Sequence, residues 1–438
     1  MPLAANPSVN FIIYKTIFNS LIMKSFYIET YGCSANQSHS EVMAGVLEDN
    51  GFSIVKKIEN ADAIVINTCI VKTPTENKIR DRIRFIRNKY PNKKLVIAGC
   101  ATDGEYRIFK RLAPEALFLS SHKSRDIAKL LSGKKKRTGR KIRKNPLVGI
   151  TEIASGCLGR CAYCIVKLAR GDLRSRKPRE IEDEIKNSLK EGCKEIWITS
   201  QDCGCYGLDI KTNLAKLLKE MVKIKGEFRV RVGMMNTTYI KPILKDLVKI
   251  YREPKIYRFI HIPFQSGSDK ILKSMNRGYH VKDFKKIVKE FRREFPDITL
   301  STDIIVGFPG ETERDFQKSL DLVRRIKPDI INVSKFSPRP RTQASRMRQL
   351  DNRVVKERSK IMAELVRKTG FERNKKLVKS EFSILVNERG KEKNQFMGRN
   401  EYYKPVVITS KKNVMGNFLK VRITSAGKTH LIGEILER

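Results

Sequence analysis

The sequence predicts an α/β protein in three parts: a parallel α/β domain, a partial barrel of six βα units, and a small β-barrel. Strand-like and helix-like segments alternate from residue 25 to about residue 369, which is typical of parallel sheets covered by helices. After residue 371 only short strands remain, separated by Gly, Asn and Lys turns. That change of pattern predicts the carboxy-terminal β-barrel.

The predicted boundaries follow these changes of pattern. Residues 1–22 form an extension without the cationic start and apolar core of a signal peptide, and Met23 is a second candidate for the first residue. A Rossmann-like α/β domain is predicted over 23–132, a basic linker over 133–146, the partial (β/α)6 barrel over 147–370 and the small β-barrel over 371–438.

Three predicted strands of the first domain end at a cysteine. "FYIETYGC" ends at Cys33, "DAIVINTC" at Cys69 and "KKLVIAGC" at Cys100, with helices expected over 40–51 and 74–91 between them. Ligands of parallel sheets bind beyond the carboxyl ends of the strands. We therefore expect the three thiols to converge on a metal site, the alternative being three buried cysteines that pack as small hydrophobes.

Six further strands, each followed by a helical or loop segment, are predicted between residues 147 and 337: "LVGITEIA", "EIWITS", "FRVRVGM", "YRFIHIPF", "TLSTDIIVGFP" and "DIINVSKFS". In barrels of this kind the working face lies at the carboxyl ends of the strands. Cys157 follows the first of these strands directly, so its loop is expected on that face.

The segment "SGCLGRCAYCIVKLARGDLRSR", residues 155–176, places Cys157, Cys161 and Cys164 within eight residues. A structural zinc site has four ligands, and a disulfide framework has an even number of cysteines in a small secreted chain, so neither fits three cysteines in one loop. Three thiolates suit a [4Fe–4S] cube with one iron left open for a small ligand. With Tyr163 before the last cysteine, this spacing is the fingerprint of radical S-adenosylmethionine (SAM) enzymes.

Charge and cysteine usage bear on partners and compartment. The chain has 90 Lys and Arg against 47 Asp and Glu, a net charge of +43, which predicts salt-sensitive attraction to polyanions. Nucleic acid is the first candidate and an anionic membrane surface the second. No apolar run reaches the ~20 residues needed to span a bilayer, so no membrane partner is expected. Locally clustered cysteines indicate a reducing cytoplasm.

Residues 24–438 resemble the radical SAM methylthiotransferases nearly end to end. The first domain carries "TYGCSANQSHSE", "NTCIV" and "AGC", and the barrel carries "ITSQDCGCYG", "RVGMMN", "HIPFQSGSD", "MNRGY" and "DIIVGFPGET". The resemblance implies an auxiliary cluster domain, a radical SAM core and a TRAM domain that binds RNA. It also implies a second [4Fe–4S] cluster on Cys33, Cys69 and Cys100, a protein that supplies electrons, and two roles for SAM: methyl donor and radical source.

Three substrates compete within that family: N6-isopentenyladenosine in tRNA, N6-threonylcarbamoyladenosine at tRNA position 37, and an aspartate of a ribosomal protein. The first and third groups usually carry Pro where this chain has Lys167, and "CIVKLARGDL" resembles the archaeal and eukaryotic threonylcarbamoyladenosine group. Cys203, Cys205 and Arg176 depart from that group. A non-catalytic iron–sulfur RNA-binding protein is the alternative from another class.

Other site residues are assigned by position. Gln201, Gln265 and Asp303 follow strands on the working face and, with Tyr163, are expected to border SAM. Lys167 is a candidate partner for the carboxylate of the threonylcarbamoyl group, and Arg170, Arg174 and Arg176 are candidates for tRNA phosphates or for solvated surface. Cys193 is expected to be a packing thiol and His261 a pocket wall. Cys203 and Cys205 flank the predicted pocket, either as accidental thiols, the favoured interpretation, or as extra ligands. No catalytic acid or base is assigned.

Overall fold

The computed structural model describes residues 25–133 and 140–436. The predicted extension 1–22 and residues 134–139 of the predicted linker lie outside that range. The described chain divides into two compact units, the first comprising residues 25–70, 74–133 and 140–142, and the second comprising Val71–Thr73 and residues 143–436. Among the described residues, no helix has the length and apolarity required to cross a membrane.

The first unit is built on a five-stranded parallel sheet, as predicted for this region. Its strands, from one edge of the sheet to the other, are Ser53–Ile54, Ser25–Thr30, Ala63–Thr68, Lys94–Gly99 and Leu117–Ser120. Every residue of the central strand Ala63–Thr68 is buried, which explains its continuous apolar run. The α-helices are Ser34–Asp49, Thr73–Lys89, Asp103–Leu112 and Ile127–Ser132, and short 3-10 turns cover Ile58–Asn60 and Ser121–Asp126.

The helix Ser34–Asp49 begins six residues before the start predicted at Ser40. Cys33 is its N-cap residue, in an extended backbone conformation. The polar side chains of the first two turns predicted a loop, but they are buried and form hydrogen bonds with the neighbouring strands. Ser40, for example, accepts a hydrogen bond from Asn67 at 2.8 Å. Tertiary hydrogen bonds thus stabilise helical turns that local propensity does not favour.

The second unit contains the six predicted parallel strands: Val148–Glu152, Glu195–Thr199, Arg229–Val232, Phe259–His261, Thr299–Val306 and Ile330–Lys335. The α-helices around them are Val166–Arg170, Pro178–Lys190, Leu214–Met221, Thr237–Ile240, Leu244–Ile250, Asp269–Ser274, Val281–Glu294 and Glu313–Ile326. The strands form two sheets of three, and single backbone hydrogen bonds connect them, including Tyr257 N–H to Val230 O at 3.0 Å. The prediction of a partial barrel is confirmed.

The helix Asn352–Lys375 follows the last strand of the partial barrel and runs across the predicted boundary between residues 370 and 371. A closed five-stranded barrel comes after it, as predicted, with strands Glu381–Arg389, Gln395–Asn400, Pro405–Thr409, Phe418–Ala426 and Leu431–Ile435. The barrel therefore starts about ten residues later than the sequence pattern indicates, because the helix buries few residues and lacks a clear apolar face.

Buried polar contacts hold the small barrel against the core of the second unit. Asp329, whose side chain is only 1% exposed, pairs with Arg373 at 3.0 Å and with Lys404 at 2.8 Å. The buried Glu195 carboxylate accepts a hydrogen bond from Asn387 at 2.6 Å. A buried carboxylate that loses its partners destabilises the fold, so these pairs hold the barrel in place against the core of the second unit.

Candidate metal centres

The auxiliary cysteines lie at one edge of the first unit, beyond the carboxyl ends of three neighbouring strands. Cys69 and Cys100 are buried, whereas Cys33 is exposed at the start of its helix. Gly32, at φ +102°, lies so close to Cys69 that a Cβ there would stand 2.8 Å from the Cys69 sulfur. Only glycine permits that approach, which brings the Cys33 loop against the Cys69 loop.

Asn36 joins the loops that carry these cysteines. Its amide donates hydrogen bonds to Tyr31 O at 2.8 Å and to Thr68 O at 2.7 Å, and its Oδ1 accepts one from the Cys100 thiol at 3.3 Å. Asn36 is fully buried, so each bond forms away from water. Asn36 was not predicted as a site residue, although a polar residue three positions after a candidate ligand, at a helix start, was the available signal.

The loop of the second centre, residues 155–176, is closed by backbone contacts. Gly156, at φ +78°, donates its N–H to Gln201 Oε1 at 2.7 Å, and Cys157 N–H bonds to Gly171 O at 3.3 Å. A Cβ on Gly156 would lie 1.9 Å from Asp172 O. The two ends of the loop thus touch at a point where no side chain fits, and Gln201 anchors the loop to the end of the second strand.

Hydrogen-bond donors face two of the three thiols in this loop. Gly159 N–H points to the Cys157 sulfur at 3.2 Å, and the Arg277 guanidinium points to the Cys161 sulfur at 3.3 Å. Desolvation raises the pKa of Cys164 to about 11. A bound metal deprotonates such a thiol outright, and donors to the sulfurs then stabilise the thiolates.

The donor set fits an iron–sulfur cube better than a single metal ion. In the part of the chain that the structure describes, no group of three or more His, Cys, Asp or Glu side chains is arranged to hold one ion. The cysteines of a [4Fe–4S] cube each bind a different iron, so their sulfurs need not meet at one point. Gly159 leaves room beside them, since a Cβ there would come within 3.4 Å of the Cys157 sulfur.

The middle of the cysteine loop is fixed by its neighbours. Ala162 N–H donates to Met275 O at 2.9 Å, and Ala162 O accepts from Ala344 N–H at 2.8 Å. The Tyr163 ring packs edge-on against Phe308, with 6.4 Å between centroids. Tyr163 therefore supports the loop from a largely apolar pocket, which is also compatible with the predicted place beside SAM.

Cys203 and Cys205 differ in their surroundings. Cys203 is fully buried, accepts a hydrogen bond from Ser200 at 3.4 Å, and has a pKa that burial raises to about 11, as expected for a packing thiol. Cys205 is also buried, and its thiol donates a hydrogen bond to Asp202 O at 3.2 Å; contact between the side chains of Cys205 and Cys157 lowers the pKa of Cys157. The same contact, together with burial, raises the pKa of Cys205, so Cys205 remains the protonated partner.

Gln265 lies four residues past the end of the fourth strand, and its N–H bonds to Asp303 O of the fifth strand at 2.9 Å. Gln265 adopts φ +62° and is 9% exposed, and its Oε1 is a buried acceptor with no donor among the described residues. Asp303 accepts from Asn332 at 2.7 Å and contacts His261 Nε2 at 3.0 Å. Burial alone would raise the pKa of Asp303, but its hydrogen bond with His261 leaves that pKa below the ordinary value.

The Lys167 side chain bonds to two residues of its own cysteine loop. Its ammonium donates to Cys157 O at 2.6 Å and forms an ion pair with Asp172. The positive charge predicted to meet a substrate carboxylate thus already has a carboxylate partner, five residues along the chain. The contact with the Cys157 carbonyl gives Lys167 a role in holding the loop.

The three arginines that follow Lys167 occupy different environments. Arg170 is 3% exposed and lies 3.6 Å from Glu152, so it does not face solvent. Arg176 is fixed by Glu184 at 2.6 Å and by Glu152 O at 3.0 Å. Arg174 is exposed and has no ion-pair partner among the described residues, which leaves it as the one of the three suited to a phosphate.

Arg277 is a residue of this centre that the sequence did not predict. It lies in "MNRGY", a stretch assigned no role, and is 8% exposed. Besides Cys161, its guanidinium reaches Pro263 O at 3.4 Å and packs over the Tyr279 ring at 5.3 Å. Its place beside a thiol depends on folding across more than 100 residues, which no local pattern reveals.

Three family models match successive parts of the chain. The model described as "Uncharacterized protein family UPF0004" matches residues 25–120, the radical SAM superfamily matches 151–323, and the TRAM domain matches 375–436. Together they cover the parallel α/β unit, the partial barrel and the small β-barrel in that order.

Curated relatives align over nearly the full length. A protein of Pyrococcus horikoshii named "probable threonylcarbamoyladenosine tRNA methylthiotransferase" is 39% identical over 94% of this chain and 100% of its own. The Drosophila melanogaster threonylcarbamoyladenosine tRNA methylthiotransferase is 37% identical over 96% of this chain and 80% of its own.

Among solved structures, the radical SAM methyltransferase TsrM from Kitasatospora setae matches with a TM-score of 0.51 at 14% identity. The match covers 74% of this chain and 77% of that one, and at this identity it supports the fold alone.

Proposed function

The chain belongs to the threonylcarbamoyladenosine tRNA methylthiotransferases, a radical SAM family, and we propose on that premise that it converts N6-threonylcarbamoyladenosine at tRNA position 37 to its 2-methylthio derivative. The observation that carries the proposal is the loop 155–176, which closes three thiols on the working face of a partial barrel. The similarity to relatives of that name extends through all three parts of the chain.

The chain's own residues would hold and tune the first cluster. When bound, a [4Fe–4S] cluster with one open iron supplies the electron that cleaves SAM. Cys157, Cys161 and Cys164 would be its thiolate ligands. Gly159 N–H and the Arg277 guanidinium already point at two of these sulfurs and would stabilise their negative charge.

Gln265 would orient SAM. Its Oε1 is a buried acceptor without a donor among the described residues, and such an atom is costly to leave unpaired. The ammonium group of SAM is a donor of the right kind. The backbone at Gln265 is held in its left-handed conformation by hydrogen bonds to Asp303 and Ile305, at 2.9 and 3.1 Å, so the side chain is set before the ligand arrives.

Cys33, Cys69 and Cys100 are proposed to hold the second cluster, which would carry the sulfur that is transferred. Support comes from their position at neighbouring strand ends and from Asn36, which ties the three loops together. The first unit matches the UPF0004 model, which is consistent with this assignment. An electron-donating protein would supply the electrons for each turnover.

A tRNA substrate suits the charge of the chain and its carboxy-terminal barrel. The net charge of +43 favours a polyanion, and exposed lysines lie in the turns of the TRAM barrel: Lys391, Lys393, Lys411 and Lys412. A ribosomal protein substrate would not need such a surface. Because Asp172 neutralises Lys167, the exposed Arg174 is the better candidate for a negatively charged group of the substrate.

The test uses the full chain, reconstituted with iron and sulfide under nitrogen and supplied with SAM and dithionite. One tRNA carries N6-threonylcarbamoyladenosine and a second carries N6-isopentenyladenosine, with Cys157→Ala as the inactive control. Mass spectrometry of the nucleosides should find a methylthio product on the first tRNA only. Product on the second tRNA alone would overturn the substrate assignment, and absence of 5′-deoxyadenosine would favour a non-catalytic RNA-binding protein.

A further inference from the structure

A cavity of about 700 Å³ lies in the first unit, between the helix Asp103–Leu112 and the strand Leu117–Ser120. That volume falls in the range of roughly 300–1,000 Å³ typical of ligand pockets. The strand lies at the edge of the sheet and pairs with Lys94–Gly99, placing Ser120 opposite Gly99. Because Cys100 follows Gly99 directly, the cavity lies one strand away from an auxiliary cysteine.

Two aromatic rings line this cavity. Tyr106 comes from the helix and Phe118 from the strand, and they meet edge to face with 5.6 Å between centroids and 88° between ring planes. Both residues are half-buried, so each ring keeps part of its surface accessible. Aromatic surface of this kind stacks with nucleobases irrespective of sequence.

Four cations surround the rings. Arg107, Lys110, Arg111 and Lys123 line the cavity, and all four are exposed. Within the described part of the chain, none of them forms an ion pair or a side-chain hydrogen bond, and no acidic residue lines the cavity. Exposed lysines and arginines are common on a chain of this charge, but here they surround an open aromatic site, which therefore offers a contact for the base and for the phosphate of a nucleotide.

We propose that this cavity holds a single-stranded nucleotide of the tRNA substrate, with its base against Tyr106 and Phe118 and its phosphate among the four cations. No cysteine lines the described cavity, so the nucleotide held there is a neighbour in the RNA and not the one that is modified. The identity of the RNA rests on the proposed function. The cavity would position tRNA beside the auxiliary centre by contacts that carry no sequence preference.

The first test compares two triple variants of the reconstituted full chain with equal loss of charge. Arg107→Gln/Lys110→Gln/Arg111→Gln removes cavity cations, and the control Lys56→Gln/Lys57→Gln/Lys78→Gln removes exposed cations of the same unit. The cavity variant should bind tRNA about tenfold more weakly and lower the salt slope of log Kd by about 0.7, the value for one single-strand phosphate contact. Equal effects of the two variants would overturn the proposal.

A second variant separates stacking from charge. Phe118→Leu keeps an apolar side chain and removes the ring, so tRNA binding should weaken about tenfold with an unchanged salt slope. Unchanged affinity, with no ultraviolet cross-link between RNA and residues 103–123 of the wild-type chain, would refute the nucleotide site. SAM cleavage without tRNA, measured on every variant, reports folding of the other centre. If the wild-type protein binds tRNA in the cavity but does not modify it, the proposed function is refuted while the nucleotide site is supported.

Discussion

Gly156 is the position where one added methyl group tests the geometry of the cysteine loop. In the variant Gly156→Ala, the new Cβ would lie 1.9 Å from Asp172 O, whereas real Cβ atoms essentially never approach another atom closer than 3.0 Å. The two ends of the loop must therefore separate by more than about 1 Å, and catalytic groups tolerate only about 0.5 Å. Cys157 is the next residue, so its sulfur moves with the backbone.

Gly192→Ala is the matched control, since Gly192 also has a positive φ, +94°, but no neighbouring atom lies within 4 Å of its Cβ position. Both variants incur the strain of a left-handed alanine, about 1–2 kcal/mol. Only Gly156→Ala adds the collision. Its expected consequence is loss of the cluster on Cys157, Cys161 and Cys164, while the first unit keeps its own.

The assay is iron content per chain after anaerobic reconstitution, together with 5′-deoxyadenosine formation. Two cubes correspond to about eight irons, so wild type and Gly192→Ala should hold about eight and Gly156→Ala about four, with SAM cleavage abolished only in the last. Thermal unfolding of the unreconstituted proteins checks that all three fold. Full iron content and normal SAM cleavage in Gly156→Ala would refute the reasoning about this loop.

Three further expectations follow from single contacts. Arg277→Gln removes a cationic donor to Cys161 and should lower the reduction potential of the cluster in an EPR redox titration; an unchanged potential would exclude that contact as a tuning element. Asn36→Ala should halve iron content to about four per chain while SAM cleavage persists, and retention of about eight irons would contradict its role. Burial would raise the pKa of Asp315, but hydrogen bonds from Thr312 outweigh it and lower that pKa to about 2. The ionised Asp315 therefore stabilises the fold above pH 4, and this contribution is lost as pH falls from about 4 to 2. In Asp315→Asn, the free energy of unfolding should fall less steeply over that pH range than in the wild type.

The sequence predicts well those features that depend on local pattern. Apolar periodicity alone predicts Cys33, Cys69 and Cys100 at strand ends. Two of these strands end directly before their cysteine, at Thr68 and Gly99, whereas the first ends at Thr30, three residues before Cys33. The order of the three parts follows from the same periodicity and from the change to short strands. These features need only the spacing of apolar residues, which the printed sequence contains.

Features that depend on contacts between distant segments were not predictable. A run of cationic residues has the same sequence pattern whether its side chains face water or the interior. In this run Arg170 is buried beside Glu152, Lys167 is paired with Asp172, and Arg174 is exposed. The helix start at Ser34 was not predicted for the same reason. Strands far along the chain form hydrogen bonds with polar side chains that otherwise favour a loop.

Methylthiolation in the cell is tested by nucleoside mass spectrometry of tRNA from a host that lacks this gene and carries either the wild-type chain or its Cys157→Ala variant. Wild type should restore 2-methylthio-N6-threonylcarbamoyladenosine, and the variant should leave N6-threonylcarbamoyladenosine unmodified. Equal amounts of the methylthio nucleoside with and without the wild-type chain would show that this protein does not form it.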